Sequence, residues 1–306
     1  MALNADLLLD RLRLKQQAKK WRLIAIAIAV IAAMVLYNRG SGFSPIPSNY
    51  IARISIEDII LDDKPTLDMI DSVMEDNHAK AVILWLDTPG GGALAGQEIY
   101  LKLLKLGKKK PIVAVMRTMA TSAGYMVALG ADHIIAREGS ITGSIGVLLE
   151  TFEATALAEK IGIKPIVIKS GSNKAIPNPF EKLTADQQIV VESVIKDFFA
   201  WFVDIVAERR KLPRETVENL ADGRIYTGRQ ALKVKLIDGL GGEDEAVAWL
   251  AKSKNIDDTL DIRDVKPERP VTSFFEQLSG IATGKFTSHL LQRLDGLVSI
   301  WQPNAL

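Results

Sequence analysis

Ala81-Val-Ile-Leu-Trp-Leu-Asp-Thr-Pro-Gly-Gly-Gly92 passes from an unbroken apolar run into a glycine turn, and Leu94–Leu106 follows with helical character. Strand, tight turn and helix in that order open a βαβ unit. The same rhythm recurs on both sides. Upstream, Ile51–Ile60 reads as a strand and Thr66–His78 as an amphipathic helix. Downstream, Ile112–Val115 is strand-like and Ser122–Gly130 reads as a helix of small residues. Ile134–Ala136 and Ile166–Ile168 read as further short strands. From Thr184 the chain turns largely helical. Thr184–Arg210 forms a long segment in which Phe198, Phe199, Trp201, Phe202 and Ile205 supply a wide apolar surface, and a further helix runs from Gly241-Gly242 through Leu250. The pattern predicts an α/β fold of parallel strands with helices packed outside, ending in a helical carboxy-terminal part. No internal repeat interrupts it.

Composition narrows the classes. The 306 residues are 48% hydrophobic and 25% charged, enough for a sizeable core. A net charge of +1 gives no footprint for nucleic acid. There is no cysteine, so disulfides and thiolate metal sites are excluded. Only three histidines, His78, His133 and His289, are available, too few for a multi-histidine metal site and a thin supply for a Ser-His-Asp triad. Neither a metal nor an organic cofactor is called for.

The amino terminus differs from the rest. Leu23 to Tyr37 is apolar or aromatic throughout, with Trp21 and Tyr37 near its ends like interface anchors. The run is shorter than the ~20 residues that span a bilayer, but Arg22 and Arg39 can snorkel and lengthen it. Residues 21–39 are therefore expected to be a single anchor in membrane lipid. A cleaved signal peptide is the alternative, disfavoured by the long basic region and the lack of an A-x-A site. Arg11, Arg13, Lys15, Lys19, Lys20 and Arg22 precede the run and only Arg39 closely follows it. That bias keeps residues 1–20 in the cytoplasm and sends the bulk of the chain outside. Residues 40–49, rich in Gly, Ser and Pro, read as a linker, residues 50–255 as the main domain, and 256–306 as an extension. Within the extension, Phe286, Leu290, Leu294, Leu297, Val298 and Trp301 recur at near-helical spacing. Packing on this domain or a neighbouring subunit is favoured over a membrane-surface helix, because Lys285 and Arg293 make a sparse basic face.

Three motifs can carry chemistry. Asp87-Thr-Pro-Gly-Gly-Gly92 sits where a strand gives way to a helix, so bare amides there can face a ligand or an oxyanion; an ordinary turn would look the same. Thr121-Ser-Ala-Gly-Tyr125 places Ser122 at a helix start, as nucleophile or merely as N-cap. Lys169-Ser-Gly-Ser-Asn-Lys174 is a polar loop ahead of Pro177 and Pro179. A lysine in it is a general base only if burial or nearby positive charge keeps its amine neutral, and most lysines are solvated.

Together, in this order and with Gly143-Ser-Ile-Gly-Val147 between them, these motifs resemble the S49 family of signal peptide peptidases. Ala221-Asp-Gly-Arg-Ile-Tyr-Thr-Gly228 and Leu236-Ile-Asp-Gly-Leu-Gly241 match its style too, so the resemblance runs from about Ile51 to Ala251. It implies a crotonase-like or Clp-protease-like fold and a serine–lysine peptidase. Ser122 falls on the nucleophile, Lys174 on the general base and Ser144 on a hydroxyl that holds the lysine amine, while the amides of Gly91 and Ala123 fall on the oxyanion hole. The implied substrates are cleaved signal peptides and other apolar peptides. The implied assembly is a homo-oligomeric ring, an octamer in single-repeat relatives, with active sites at protomer interfaces. Two departures stand out: Ala123 replaces a glycine, and its methyl is expected to narrow the pocket, while Asn173 stands where an aromatic is usual. A catalytically silent membrane scaffold and a crotonase-like acyl-coenzyme A enzyme are the competing classes. The first has no use for Ser122, Ser144 and Lys174, and the second explains neither the pair nor the anchor.

Overall fold

β1 (Tyr50–Glu57), β2 (Ala79–Thr88) and β4 (Ile112–Thr121) lie side by side as parallel strands at the centre of a sheet. The computed structural model describes residues 15, 17, 19–30, 48–268 and 298–300. Among the described residues, eight helices follow the amino-terminal unit: α1 (Lys64–Glu75), α2 (Ala93–Gly107), α3 (Ala123–Ala128), α4 (Thr155–Lys160), α5 (Ala185–Arg210), α6 (Arg214–Leu220), α7 (Gly228–Lys233) and α8 (Glu243–Lys254). Alternate residues of β2 serve two cores. Val82, Leu84 and Leu86 are buried on the face covered by α1, α2, α3 and the second half of α5. Ala81 and Ile83 are buried on the opposite face, beneath Ala246 and Leu250 of α8. A parallel strand covered on both faces must be apolar throughout, which is why this run reads as unbroken.

The sheet extends outward from that centre. β9 (Asp261–Val265) runs parallel to β1, past the end of the α8 segment. β5 (His133–Ala136) flanks the first half of β4, and β6 (Ile141–Gly143) flanks its last residues, Met119–Thr121. β7 (Ile225–Thr227) closes that end antiparallel to β6, while β8 (Gly239–Leu240) pairs with β5. β3 (Gly90–Gly92) leaves the large sheet and pairs antiparallel with β10 (Val298–Ile300).

Several expected elements move. The first strand stops at Glu57, because Asp58 takes φ 61° and turns the chain. The helix expected over Thr66–His78 begins at Lys64 with a proline in its first turn and ends at Glu75. Ile166–Ile168 is not a strand. Ile166 and Ile168 are 88% and 95% exposed and have no ladder partner among the described residues, and β-propensity without a neighbouring strand makes no strand. Thr184 opens α5 with a capping box shared with Gln187, as a Thr-x-x-Gln spacing dictates. Only the second half of α5 is buried, through Phe202, Val203, Ile205 and Val206; Ile189, Val190 and Val194 in its first half are exposed. The carboxy-terminal helix expected after Pro270 falls mostly outside the described residues, and Val298, assigned to it, lies in strand β10 instead.

Residues 1–48 form a separate unit, in which residues 19–30 are helical with exposed side chains that include Trp21, Leu23, Ile26 and Ile28. Among the described residues no helix is long and apolar enough to cross a membrane. Residues 31–39 of the expected anchor lie outside them.

Candidate active site

Ser122 joins β4 to α3 in a backbone conformation that residues with side chains rarely adopt, φ 57° and ψ −120°. Such a conformation costs roughly 1–3 kcal/mol and persists only where the surroundings over-determine it. Here they do. The Ser122 N–H donates to the Gly143 carbonyl at 2.8 Å, and the Ser122 carbonyl accepts from Met126 N–H at 3.0 Å. Next to it, Thr121 Oγ1 donates to the Pro89 carbonyl at 2.9 Å. The side chain makes no capping bond. The capping alternative therefore fails: an N-cap serine has extended backbone and spends its oxygen on a helix amide. A strained strand-to-helix turn instead holds a hydroxyl clear of its own helix, as a nucleophile requires.

Behind this turn, α3 is clamped at both ends of its short span. Tyr125 is completely buried and its hydroxyl donates to the Leu236 carbonyl at 2.7 Å. Burial, opposed by the Arg210 charge, pushes its phenol pKa up, so it stays neutral. At the carboxyl end, the Arg209 guanidinium donates to the Leu129 and Ala131 carbonyls at 2.7 and 2.9 Å. Those are groups a helix end leaves without partners.

The Asp87–Gly92 turn packs against the serine turn. Thr88 is the hinge between them: its Oγ1 donates to the Asp58 carbonyl at 2.5 Å and accepts from Gly90 N–H at 3.1 Å. A Cβ on Gly124 would come within 2.6 Å of the Thr88 methyl, so only glycine allows this approach. Gly90 sits at φ 104°. Ile60 N–H donates to the Gly90 carbonyl at 2.8 Å and the Ile60 carbonyl accepts from Gly92 N–H at 2.9 Å. A Cβ on Gly91 would lie 2.0 Å from the Ile60 oxygen. Because bonding groups alternate along a strand, Gly91 turns its N–H to the side away from Ile60. The Ala123 amide lies in the first turn of α3, where helix N–H groups lack intrahelical acceptors. The Ala123 methyl does not narrow the cleft. It is fully buried and faces Gly96 of α2, where a Cβ would meet it at 3.0 Å, so a notch in that helix absorbs it.

Ser122 opens onto a cleft of about 560 Å³ shared with Ser144, Val147, Leu148, Ile195 and Phe199. Ser144 is buried, has φ 49°, and is tied down by its N–H to the Arg224 carbonyl at 2.8 Å. Gly143 before it has φ 84° and lies against the Tyr226 ring. At the rim, the Arg224 guanidinium holds the Asp222 carboxyl down to about 2 by hydrogen bonding.

The expected residues divide. The serine turn, the glycine turn and Ser144 come together within one chain. Lys174 does not line the cleft; it is exposed on a turn closed by its N–H to the Gly171 carbonyl at 3.1 Å. No side-chain partner of Lys174 occurs among the described residues. Lys169, in the same motif, is engaged by Glu181. Lys196 of α5 does line the cleft, and its ammonium lies 3.5 Å from Glu192. The cleft-forming roles of Leu148, Ile195, Lys196, Phe199 and Gly223 escape sequence reading. Phe199 and Ile195 are legible only as an apolar helix face, and nothing local says that the face overhangs a serine.

Comparison with known proteins agrees with this geometry. The family model described as Peptidase family S49 matches residues 105–257, half of the chain. A protease-named protein of Synechocystis sp. is 38% identical over 224 residues, covering 72% of this chain and 80% of its own length. The chloroplastic serine protease SPPA of Arabidopsis thaliana is 34% identical over 71% of this chain, but the match spans only 32% of the plant protein. Protease 4 of Haemophilus influenzae is 33% identical over 65% of this chain and 34% of its own. Family match, relatives and a strained serine over a cleft converge: the chain belongs to peptidase family S49 and is a serine peptidase.

Proposed function

We propose that the protein is a membrane-anchored endopeptidase that hydrolyses cleaved signal peptides and other apolar peptides with a Ser122–Lys174 pair. The observation that carries the reading is the strained Ser122 turn, whose hydroxyl is free of any capping bond and opens onto an apolar cleft. The Lys174 amine takes the Ser122 proton as Oγ attacks a peptide carbonyl, and the amides of Gly91 and Ala123 hold the oxyanion. Collapse expels the amine product, which leaves with the proton from Lys174, and the acyl-enzyme remains on Ser122. Water, deprotonated by Lys174, then releases the acid and restores the serine. Ser144 positions the lysine amine at the rim of the cleft. Val147, Leu148, Ile195 and Phe199 favour an apolar side chain beside the cut bond.

Lys174 reaches Ser122 across a subunit boundary in this reading. Within one chain it is exposed, and in the sequence flanking it Ile163, Ile166, Ile168 and Phe180 are 55%, 88%, 95% and 47% exposed. Apolar surface of that extent is what a second copy covers, and a closed ring brings each lysine loop to a neighbour's serine. Desolvation in that boundary is also what a neutral lysine base needs. The amino-terminal apolar run would tether the ring to the inner membrane, single-pass, with the catalytic part on the extracytoplasmic side, where released signal peptides are met.

Lys196 offers a rival base within one chain, since it lines the cleft with Ser122. Its pairing with Glu192 and its 77% exposed side chain count against it. A mixing experiment separates the two. Ser122→Ala and Lys174→Ala proteins, each inactive alone, should regain apolar-peptide hydrolysis when co-assembled, because some boundaries then hold an intact serine and an intact lysine. No recovery in verified mixed assemblies would sink the shared site.

A further inference from the structure

β4 changes partners on its way to the serine. Its first half lies between β2 and β5, whereas Met119–Thr121 pairs with β6, and Ser122 follows directly. The change is made by a bulge. Between the matched pairs Leu86–Met116 and Thr88–Ala120, one residue of β2, Asp87, faces three of β4, Arg117, Thr118 and Met119. Two extra residues preserve the alternation of faces, so Met116 and Ala120 stay in the same core while the strand end is redirected.

A bulge leaves backbone groups without ladder partners. Side chains supply them here. From the β5–β6 turn, the buried Ser140 hydroxyl bonds to the Met116 carbonyl, at 3.1 Å, and to the Arg117 carbonyl. From β2, Asp87 Oδ1 accepts from Met119 N–H at 3.3 Å and Oδ2 from the Thr118 hydroxyl at 3.2 Å. The Arg117 guanidinium stands 3.8 Å from Oδ2 and lies over the Trp85 ring. Asp87 does not line the cleft, so it is not a group that meets the peptide. It does open the turn that leads to Gly91. One carboxylate thus ties the segment bearing the oxyanion amide to the segment bearing the serine.

We propose that Asp87 is a positioning residue that sets the spacing between the Ser122 hydroxyl and the Gly91 amide by holding the β4 bulge. The inference rests on the reading of Ser122 as nucleophile and Gly91 as oxyanion donor. Mere satisfaction of the bulge is the alternative. It differs in one consequence: losing a filler lowers stability and leaves the folded protein as reactive as before.

The test uses the assembled full-length protein carrying Asp87→Ala, Asp87→Asn, Asp87→Glu or Thr118→Val, assayed well below each melting transition. Asp87→Ala should lower kcat for an apolar peptide roughly ten- to a hundredfold with KM within about twofold, and should slow fluorophosphonate labelling of Ser122 to match, since small displacements of catalytic groups are costly. Asp87→Asn keeps an oxygen for Met119 and an amide that the Thr118 hydroxyl can accept from, so it should restore kcat to within about threefold of the wild type. Asp87→Glu keeps the charge but is longer by a methylene, and should not. Thr118→Val, which removes one of the two bonds, should lower kcat roughly threefold or more. A folded Asp87→Ala with the wild-type labelling rate and kcat, or rescue by Asp87→Glu and not by Asp87→Asn, overturns the proposal while leaving the active site standing. If no Asp87 variant folds, unchanged kcat in Thr118→Val overturns it. Failure of the wild type to react at Ser122 overturns the active-site reading and this inference with it.

Discussion

Gly91→Ala should cripple the protein, whereas Gly92→Ala, one residue along, should barely change it. At position 91 a Cβ would sit 2.0 Å from the Ile60 oxygen and 2.7 Å from its carbon and nitrogen. These are backbone atoms in a bonded bridge, so β3 itself has to retreat by roughly 1 Å or more to reach ordinary van der Waals separation. Retreat breaks the 2.8 and 2.9 Å bonds to Ile60, each worth about 0.5–1.5 kcal/mol net. The crowding adds about 1–3 kcal/mol, giving roughly 2–6 kcal/mol in total. For a catalytic unit of this size that lowers the melting temperature by roughly 5–20 °C. The rate suffers separately: a catalytic group displaced by about 1 Å costs on the order of 10²-fold. At position 92 a Cβ would meet nothing nearer than the Ala95 methyl at 3.6 Å, an ordinary van der Waals contact, from a backbone at φ −59° and ψ 130° that alanine adopts freely. Thermal melts and peptide hydrolysis on both variants decide the matter. A Gly91→Ala protein that melts within about 2 °C of the wild type and keeps most of its rate, or a Gly92→Ala protein equally damaged, refutes the reasoning.

Tyr125→Phe should cost about 1–3 kcal/mol, because the buried Leu236 carbonyl loses its donor; chemical denaturation measures it, and an unchanged midpoint contradicts the clamp on α3. His133 stacks on Trp249 at 4.6 Å, and burial, helped by Arg210 and opposed by Asp238, holds its pKa below the ordinary 6.5. The unfolded chain therefore takes up the proton first, so this contribution is present above about pH 6.5 and lost as pH falls. Melting temperatures between pH 7 and 5 should fall less steeply in His133→Gln than in the wild type, and parallel slopes would remove His133 from the account. Ser144→Ala should lower kcat about ten- to a hundredfold with KM little changed, as expected for a group that positions the base; a rise in KM alone would make Ser144 a substrate contact.

The sheet was legible because its central strands are buried on both faces. Ala81–Leu86 could be nothing else once a glycine turn and a helix followed it. Ile166–Ile168 misled for the same physical reason: its residues suit a strand, but strand formation depends on a neighbour that local sequence does not reveal. Ser122 was legible as a residue and ambiguous as a role, since nucleophile and N-cap differ in φ and in where the hydroxyl goes, not in composition. The glycine turn announced a close approach without saying to what. Ile60, Thr88 and β10 answer that through contacts distant in sequence, and a run of glycines has no side-chain pattern to betray them. The cleft wall from α5 was hidden because Ile195 and Phe199 carry the same apolar periodicity as the buried Phe202 and Val206.

The most direct test of the central claim is mass-spectrometric mapping of the adduct formed by a serine-reactive fluorophosphonate on the assembled protein, compared among the wild type, Lys174→Ala and Lys196→Ala. The account predicts a single adduct on Ser122 in the wild type and in Lys196→Ala, and its loss in Lys174→Ala. An adduct on another residue, or Ser122 labelled in Lys174→Ala as fast as in the wild type, would contradict it.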